Sequence, residues 1–185
     1  VLELINGLAR ILITGNVLFK ITTFNRTIIG IPYKSYFLKK GDIIDIISTI
    51  DSNYGYMSIE GGFKIKSIFD SFSTLTTAKI GSNEGNKISE NKKLFFRKKG
   101  SNREYNFKYL NKKNVTNIRV IPGPQMNYFF PKIIKNFYNK EFKISNNSNR
   151  IGVRLENNIC KAVKSHNINS EGLIRGSIQV PGDGN

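Results

Sequence analysis

The stretch "ARILITGNVLFKITTF", Ala9 to Phe24, decides the fold class of this chain. Its first apolar run stops at Gly15, and in its second run Phe19 and Ile21 alternate with polar residues. Alternation with a period of two is typical of a strand that buries one face. Two short strands joined at a glycine are therefore predicted here.

The same signals recur through the first half of the chain. "KKGDIIDIIST" (39–49) begins with turn residues and continues as an apolar run, and "YGYMSIEGGF" (54–63) alternates until its paired glycines. Short strands with turn signals this close together favour a β-barrel or a sandwich. The segment from Glu90 to Asn117 is charged and weakly patterned, which predicts a solvated connection. We therefore expect an N-terminal β lobe (1–95), a connecting segment (96–117) and a C-terminal β lobe (118–185).

One amphipathic helix is predicted near residues 126–139, within "MNYFFPKIIKNFYNK". Its apolar residues recur at intervals of three and four, which makes a stripe suited to packing on a sheet. Pro131 is expected in the first turn, where its missing N–H costs nothing.

Composition excludes several classes of function. The formal net charge is +16, but the basic residues are spread along the chain and are mostly lysine, which is typical of an AT-rich genome, so no nucleic-acid partner is predicted. One cysteine and one histidine, Cys160 and His166, give no disulfide and predict no metal site and no nucleophilic pair. No apolar run approaches the roughly 20 residues of a membrane helix, and no signal peptide is recognised, so a cytoplasmic protein without membrane contact is expected.

The stretch "NRIGVRLE" (149–156) contains the strongest candidate site. In an extended strand Arg150, Gly152 and Arg154 share one face, and the Cα atoms of the two arginines lie roughly 13 Å apart. Two guanidinium groups converging over a glycine suit a carboxylate or a phosphate. The alternative is a solvent-facing strand whose arginines pair with neighbouring acids.

Two further loops carry candidate residues. In "SIQVPGDG" (177–184) Ile178 and Val180 are expected to face the core, while the other face presents polar side chains and the following Pro/Gly loop holds a carboxylate. In "IPGPQ" (121–125) Gln125 is expected beside a helix N-terminus, where free N–H groups favour an anion. Turns of this kind usually have no further role.

Several of these motifs together resemble the allophanate hydrolase subunit 2 family. The likeness lies in "IRVIPGPQMNYFFPKIIKNFYNKEFKISNNSNRIGVRLE" (118–156) and "INSEGLIRGSIQVPGDGN" (168–185), and in the first half in "YMSIEGGF" (56–63) and "FDSFSTLTTAKIGS" (69–82). The family pattern has a G-P-Q turn before a helix, a D-R-x-G-x-R-L strand and a G-x-I-Q-V-P loop. Asn149 stands where the family has Asp, and 69–82 lacks the family's arginine and its G-S start.

The resemblance implies a cyclophilin-like β-barrel in two lobes and one component of an amide-cleaving enzyme. The favoured activity is that of the C subunit of ATP-dependent 5-oxoprolinase, which opens 5-oxo-L-proline to L-glutamate together with a homologous B-like protein and a lactam-hydrolase subunit. ATP, as its magnesium complex shared with those partners, would activate the lactam oxygen. The expected catalytic residues are Arg150, Arg154 and Gln179, and the expected substrate- or phosphate-binding residues are Gln125, Gly152, Ser177, Pro181 and Asp183.

Two alternatives remain open. The same pocket could serve the carboxyltransferase part of a biotin-dependent urea carboxylase or urea amidolyase, with biotin as cofactor, or the protein could be a non-catalytic antagonist of a kinase inhibitor. The family pattern extends beyond both ends of these 185 residues, so an incomplete C-terminal lobe and an inactive isolated chain are expected.

Overall fold

The computed structural model describes residues 1–50, 53–97, 100–108, 117–149, 151–156, 160–164 and 167–182. The chain divides into two compact units, Val1–Lys113 and Asn114–Asn185, called unit 1 and unit 2 below. Strands dominate the regular structure, and a single short α-helix lies among the described residues. The prediction of a mainly β chain with one principal helix is confirmed.

The described residues of unit 1 form seven strands in two antiparallel sheets. The four-stranded sheet has the order β1-β6-β3-β4, and the three-stranded sheet has the order β5-β2-β7. The strands are β1 (Leu2–Glu3), β2 (Leu8–Thr14), β3 (Val17–Thr22), β4 (Thr27–Ile29), β5 (Ser35–Lys39), β6 (Ile43–Thr49) and β7 (Tyr56–Ile59).

The stretch that decides the fold carries the chain from one sheet to the other. Gly15 follows β2 with a φ of +94°, a conformation open mainly to glycine, and β3 then pairs in the other sheet. Phe19, at the centre of β3, is completely buried and meets Tyr36 edge-on, with ring centroids 5.8 Å apart. The alternating strands predicted here are confirmed. The core cluster consists of Ala9, Ile11, Ile13, Val17, Phe19, Ile21, Leu38 and Ile44.

Part of the charged middle of the sequence belongs to unit 1 and packs against its sheets. We call residues 95–97 and 100–107 the docked segment. The N–H of Gly100 donates to the carbonyl of Leu8 at 2.9 Å, and the N–H of Phe107 donates to the carbonyl of Tyr33 at 2.9 Å. The segment differs from the solvated connection that its charge predicts, because its backbone meets unpaired groups of the three-stranded sheet while its charged side chains stay outside.

A buried arginine also ties the docked segment to the sheet. Arg10 is only 4% exposed, and its Nε donates to the carbonyl of Ser101 at 2.7 Å. Its Nη1 donates to Ser35 Oγ at 3.0 Å, and the guanidinium lies 5.4 Å from the ring centroid of Phe37. This contact was not predicted, although an arginine within an apolar strand is itself a signal, since arginine is rarely buried without partners.

Unit 2 has much less regular structure. A 3₁₀ turn, Met126–Tyr128, precedes α1 (Pro131–Asn139), and a hairpin pairs β8 (Lys143–Ile144) with β9 (Leu155–Glu156). The α-helix therefore begins later than predicted, at Pro131, because proline has no N–H to donate to the preceding turn. Pro131 does lie in the first turn, as expected.

Of two strand predictions in unit 2, the first is confirmed only at Leu155–Glu156 and the second is wrong. Residues 151–154 belong to no strand, and residues 177–180 form no strand with any described residue. Ile151 and Val153 are consequently 73% and 65% exposed, and Ile178 is 56% exposed where core burial was expected. An alternating pattern predicts a strand, but it cannot supply the partner strand that burial needs.

No closed barrel is detected among the described strands, whose three sheets remain open. The cyclophilin-like barrel and the domain boundaries stay predictions. None of the helices in the described ranges is long and apolar enough to cross a membrane.

Candidate functional site

The loop between β8 and β9 carries the arginine motif and is closed by backbone and hydroxyl hydrogen bonds. The N–H of Ser145 donates to the carbonyl of Arg154 at 2.8 Å. Ser148 Oγ accepts from the N–H of Arg154 at 2.9 Å and donates to its carbonyl at 3.2 Å. Both backbone groups of Arg154 are therefore held, and its side chain starts from a fixed point at the base of the loop.

Asn149 makes the tight turn at the tip of this loop. Its Oδ1 accepts from the N–H of Ile151 at 2.8 Å and from that of Gly152 at 3.3 Å, and its own N–H donates to the carbonyl of Gly152 at 3.1 Å. An aspartate would make the same turn, because both residues offer an acceptor oxygen at this position. The departure from the family's Asp therefore preserves the loop geometry while removing one negative charge beside the arginines.

The arginine pair is described only in part. Arg150 lies outside the described residues, so the convergence of the two guanidinium groups stays a prediction. A Cβ built on Gly152 would meet nothing within 4 Å, which leaves open space beside the loop. A ligand could approach the backbone there, as the glycine spacing predicts.

Gln125 makes a two-point contact with a carboxylate that the sequence analysis did not single out. Its Nε2 donates to Oε1 of Glu171 at 3.0 Å and to Oε2 at 2.9 Å. The backbone of Gln125 accepts from the N–H of Tyr128, which closes the 3₁₀ turn at 2.9 Å. Glu171 stands in a polar Ser-Glu-Gly stretch within the family-like segment, and that setting was the available signal.

A second contact brings another loop to the same turn. The N–H of Val163 donates to the carbonyl of Tyr128 at 2.8 Å, and Lys164 Nζ lies 5.3 Å from the centroid of the Tyr128 ring. The turn thus gathers a carboxylate, an amide and an ammonium within one part of unit 2. Gln125 itself is not at the N-terminus of an α-helix, because α1 begins six residues later.

The remaining predicted site residues lie in or after the turn at residues 174–177. Gly176 has a φ of +101°, and Ser177 Oγ accepts from the N–H of Ile174 at 3.2 Å. Gln179 is exposed and Pro181 is half-buried. Asp183 lies outside the described residues, and the roles of all these residues stay predictions.

Cys160 is buried, and burial raises the pKa of its thiol above the ordinary value. A raised pKa leaves little thiolate at neutral pH, which suits a structural residue better than a nucleophile. His166 lies outside the described residues. Within the described ranges, no group of three or more His, Cys, Asp or Glu side chains could hold a metal ion.

Unit 1 has an apolar cavity of about 510 Å³ at one end of its core. Ala9, Ile11 and Leu38 belong to its wall, and Glu3 and Lys93 bring the only charged side chains among the lining residues. A cavity with so few polar groups offers no constellation for amide chemistry. The candidate site is therefore assigned to unit 2.

The family-like segment 69–82 of unit 1 adopts a compact series of turns. Phe69, Asp70 and Lys79 have φ values of 50°, 56° and 56°, a region costly for residues other than glycine. Thr74 Oγ1 and Ser82 Oγ lie 3.1 Å apart and tie the middle of the segment to its last residue. The segment lacks the arginine of the family pattern.

Comparison with protein families gives a match over almost the whole chain. Residues 2–185 match the model described as "Carboxyltransferase domain, subdomain A and B". The chain belongs to this carboxyltransferase family. The resemblance found in the sequence motifs is thereby confirmed.

Characterised relatives of this carboxyltransferase-family chain include bacterial and fungal enzymes. It is 30% identical to the C subunit of the Escherichia coli 5-oxoprolinase over 131 residues, which are 70% of this chain and 42% of that protein. It is 26% identical to the C subunit of the Haemophilus influenzae 5-oxoprolinase over 153 residues, 82% of this chain and 49% of that protein. It therefore spans less than half the length of either protein. It is also 25% identical to the Saccharomyces cerevisiae urea amidolyase over 66% of this chain and 7% of that protein.

Solved structures support the carboxyltransferase fold. The urea amidolyase of K. lactis superposes with a TM-score of 0.59 at 22% identity, over 82% of this chain and 10% of that one. The Kluyveromyces lactis urea carboxylase gives the same TM-score at 21% identity, over 82% of this chain and 14% of that one. At these identities the likeness concerns the fold alone.

Proposed function

We propose that this chain is part of the C subunit of a cytoplasmic, ATP-dependent 5-oxoprolinase that converts 5-oxo-L-proline to L-glutamate. The observation that carries the proposal is the 30% identity to the E. coli protein, together with family membership over residues 2–185. On this proposal the chain acts with a homologous B-like protein and a lactam-hydrolase subunit, and its lobes complete cyclophilin-like barrels in the assembled enzyme.

The candidate residues of unit 2 suit the two polar groups of 5-oxo-L-proline, its carboxylate and its ring amide. Arg154, together with Arg150, would hold the substrate carboxylate or a phosphate through the planar guanidinium fork. The N–H of Ser145 and the hydroxyl of Ser148 hold the backbone of Arg154 in place, so less conformational entropy is lost on binding. Gln125 and Gln179 would contact the amide end of the ring.

ATP fits the proposal as a substrate shared between the proteins of the complex. The sequence contains no G-x-x-x-x-G-K-[ST] phosphate loop, so phosphate contacts would come from arginine side chains and from partner proteins. ATP supplies the phosphoryl group that makes the lactam carbonyl reactive. The contribution of this chain is to hold and orient the substrate, through an electrostatic clamp that can contribute several kcal/mol to the reaction.

The proposal is tested by reconstitution. This chain, extended to the length of its relatives and co-expressed with the two partner proteins, should form glutamate from 5-oxo-L-proline only when ATP is present. Arg154→Lys keeps the charge but removes the fork, and we expect it to raise KM about tenfold, as loss of one charged hydrogen bond would. Lys143→Arg on the same hairpin serves as the control. No glutamate above background in the complete complex would refute the proposal.

A urea-carboxylating function is the second candidate, favoured by the identity to the yeast urea amidolyase and by the K. lactis structures. On that hypothesis the site of unit 2 would receive urea and a carboxylated biotin. The same complex assayed with urea, bicarbonate and a biotin carrier would then consume ATP, while 5-oxo-L-proline would give no turnover. Binding without turnover of either substrate would favour the non-catalytic antagonist.

A further inference from the structure

We propose that Glu171 is a positioning residue that holds the Gln125 side chain so that its amide oxygen accepts a hydrogen bond from the N–H of the substrate amide. The inference rests on the proposed function and deepens it, because it states which atom of the substrate this part of the site recognises. It also assigns a role to a carboxylate that the sequence motifs left unassigned.

The polarity of the contact follows from chemistry alone. An ionised carboxylate can only accept hydrogen bonds, so the group of Gln125 that faces Glu171 must be its NH₂. The observed distances of 3.0 and 2.9 Å to the two carboxylate oxygens agree with this orientation. Because the oxygen and nitrogen of an amide point in different directions from the same carbon, the Oε1 of Gln125 is turned away from Glu171.

The backbone hydrogen bonds fix the point from which the Gln125 side chain starts. The N–H of Met126 donates to the backbone carbonyl of Gly123 at 3.1 Å, and the N–H of Tyr128 donates to the backbone carbonyl of Gln125 at 2.9 Å. Turns therefore close on both sides of the glutamine. Pro124 further restricts the chain immediately before it. Gln125 is half-buried, so few rotamers remain once its NH₂ is engaged.

The ligand recognised at Gln125 must then be a hydrogen-bond donor. A carboxylate offers only acceptors near neutral pH. The charge of Glu171 opposes a carboxylate or a phosphate at this position, because both are anions. The N–H of a lactam is a neutral donor, and so is the N–H of urea. The anionic end of the substrate would consequently lie away from Gln125, at the arginine loop.

The decisive experiment compares 5-oxo-L-proline with its N-methyl analogue, which lacks the N–H. In the full complex the wild type should bind the parent compound about tenfold more tightly than the analogue, the effect of one hydrogen bond. In Glu171→Gln the side chain of Gln125 is no longer held in one orientation. The ratio of the affinities for the parent compound and the analogue should therefore fall to near one. KM for 5-oxo-L-proline should rise while kcat changes less than twofold, and Glu171→Asp should restore part of the preference. Glu156→Gln, which removes a carboxylate elsewhere in unit 2, is the matched control.

Each outcome decides the inference. An unchanged preference in Glu171→Gln, or equal binding of the two compounds by the wild type, would overturn it while leaving the proposed function intact. Failure of the wild type to bind 5-oxo-L-proline would refute the proposed function, and a preference for urea over N,N′-dimethylurea that depends on Glu171 would transfer the inference to the urea reaction. If Glu171→Gln does not fold, Gln125→Met, which removes the acceptor, should abolish the preference in the same way.

Discussion

Unit 1 buries eight apolar side chains in a common core, whereas Cys160 is the only buried apolar residue among the described residues of unit 2. In unit 2 such side chains as Ile121 and Ile174 are 90% and 81% exposed. Unit 1 is thus stabilised by the hydrophobic effect, at about 25 cal/mol for each Å² of apolar surface removed from water. Unit 2 depends on local hydrogen bonds between loops, and these loops carry the candidate site.

This difference suggests a division of roles between the units. Side chain–backbone hydrogen bonds, such as those of Ser148 and Asn149, fix loop geometry over a few residues but contribute only about 1 kcal/mol each. A site held in this way can adjust when a ligand or a partner protein binds. The core of unit 1 provides the fixed part of the domain.

The largest expected effect is in the core of unit 1. Phe19→Ala removes a completely buried ring, and we expect the free energy of unfolding to fall by about 3–5 kcal/mol. Phe24→Ala, which truncates a fully exposed ring two residues beyond the end of β3, is the matched control and should change it by less than about 0.5 kcal/mol. Urea unfolding followed by circular dichroism measures both, and equal unfolding midpoints for the two variants would show that the buried ring of Phe19 does not stabilise unit 1.

The docked segment comes next. A Cβ on Gly100 would overlap the backbone nitrogen of Arg10, so Gly100→Ala must push the segment off the sheet. We expect a loss of about 1–3 kcal/mol and faster amide exchange at Phe107. Gly123→Ala, whose Cβ would meet nothing within 4 Å, is the control. Unchanged exchange at Phe107 in Gly100→Ala would show that the segment contributes nothing to unit 1.

A smaller effect is expected in the hairpin loop of unit 2. Ser148→Ala removes both hydrogen bonds to the backbone of Arg154 and should cost about 1 kcal/mol. The measurable result is faster hydrogen exchange at the amide of Arg154, with no change at β2 of unit 1. Ser170→Ala, at an exposed position, is the control. Equal loss of protection in both units would mean that they unfold together.

The smallest effect concerns Cys160 and pH. Burial raises the pKa of its thiol in the folded chain, so the unfolded chain loses this proton first as pH rises past the ordinary value of 9.0. The folded state then binds more protons than the unfolded state, and the contribution of the thiol to stability is present below pH 9.0 and lost above it. The difference in unfolding free energy between the wild type and Cys160→Ser should narrow between about pH 8 and pH 11. A difference that does not vary with pH would contradict the burial of the thiol.

By itself the sequence determined four strands of unit 1, β2, β3, β6 and β7, because alternation and glycine signals act over a few residues. It did not predict β1, β4 and β5. Gly15 ends β2 and Gly41 precedes β6 as the pattern predicts, and the buried positions of Phe19 and Ile21 follow from the period of two. Pro131 likewise marks the first turn of the helix. The family was also recognisable from short motifs, since these record chemistry that depends on residue identity.

Contacts between residues far apart in the chain were decided only by the tertiary structure. The guanidinium of Arg10 meets Ser101 across 91 positions, and Gln125 meets Glu171 across 46. No periodicity predicts such pairs, because hydrogen bonds between distant segments depend on how the backbone brings them together. For the same reason the apolar face predicted at Ile178 stays exposed: alternation places side chains on one face of a strand, but only a neighbouring segment can bury that face.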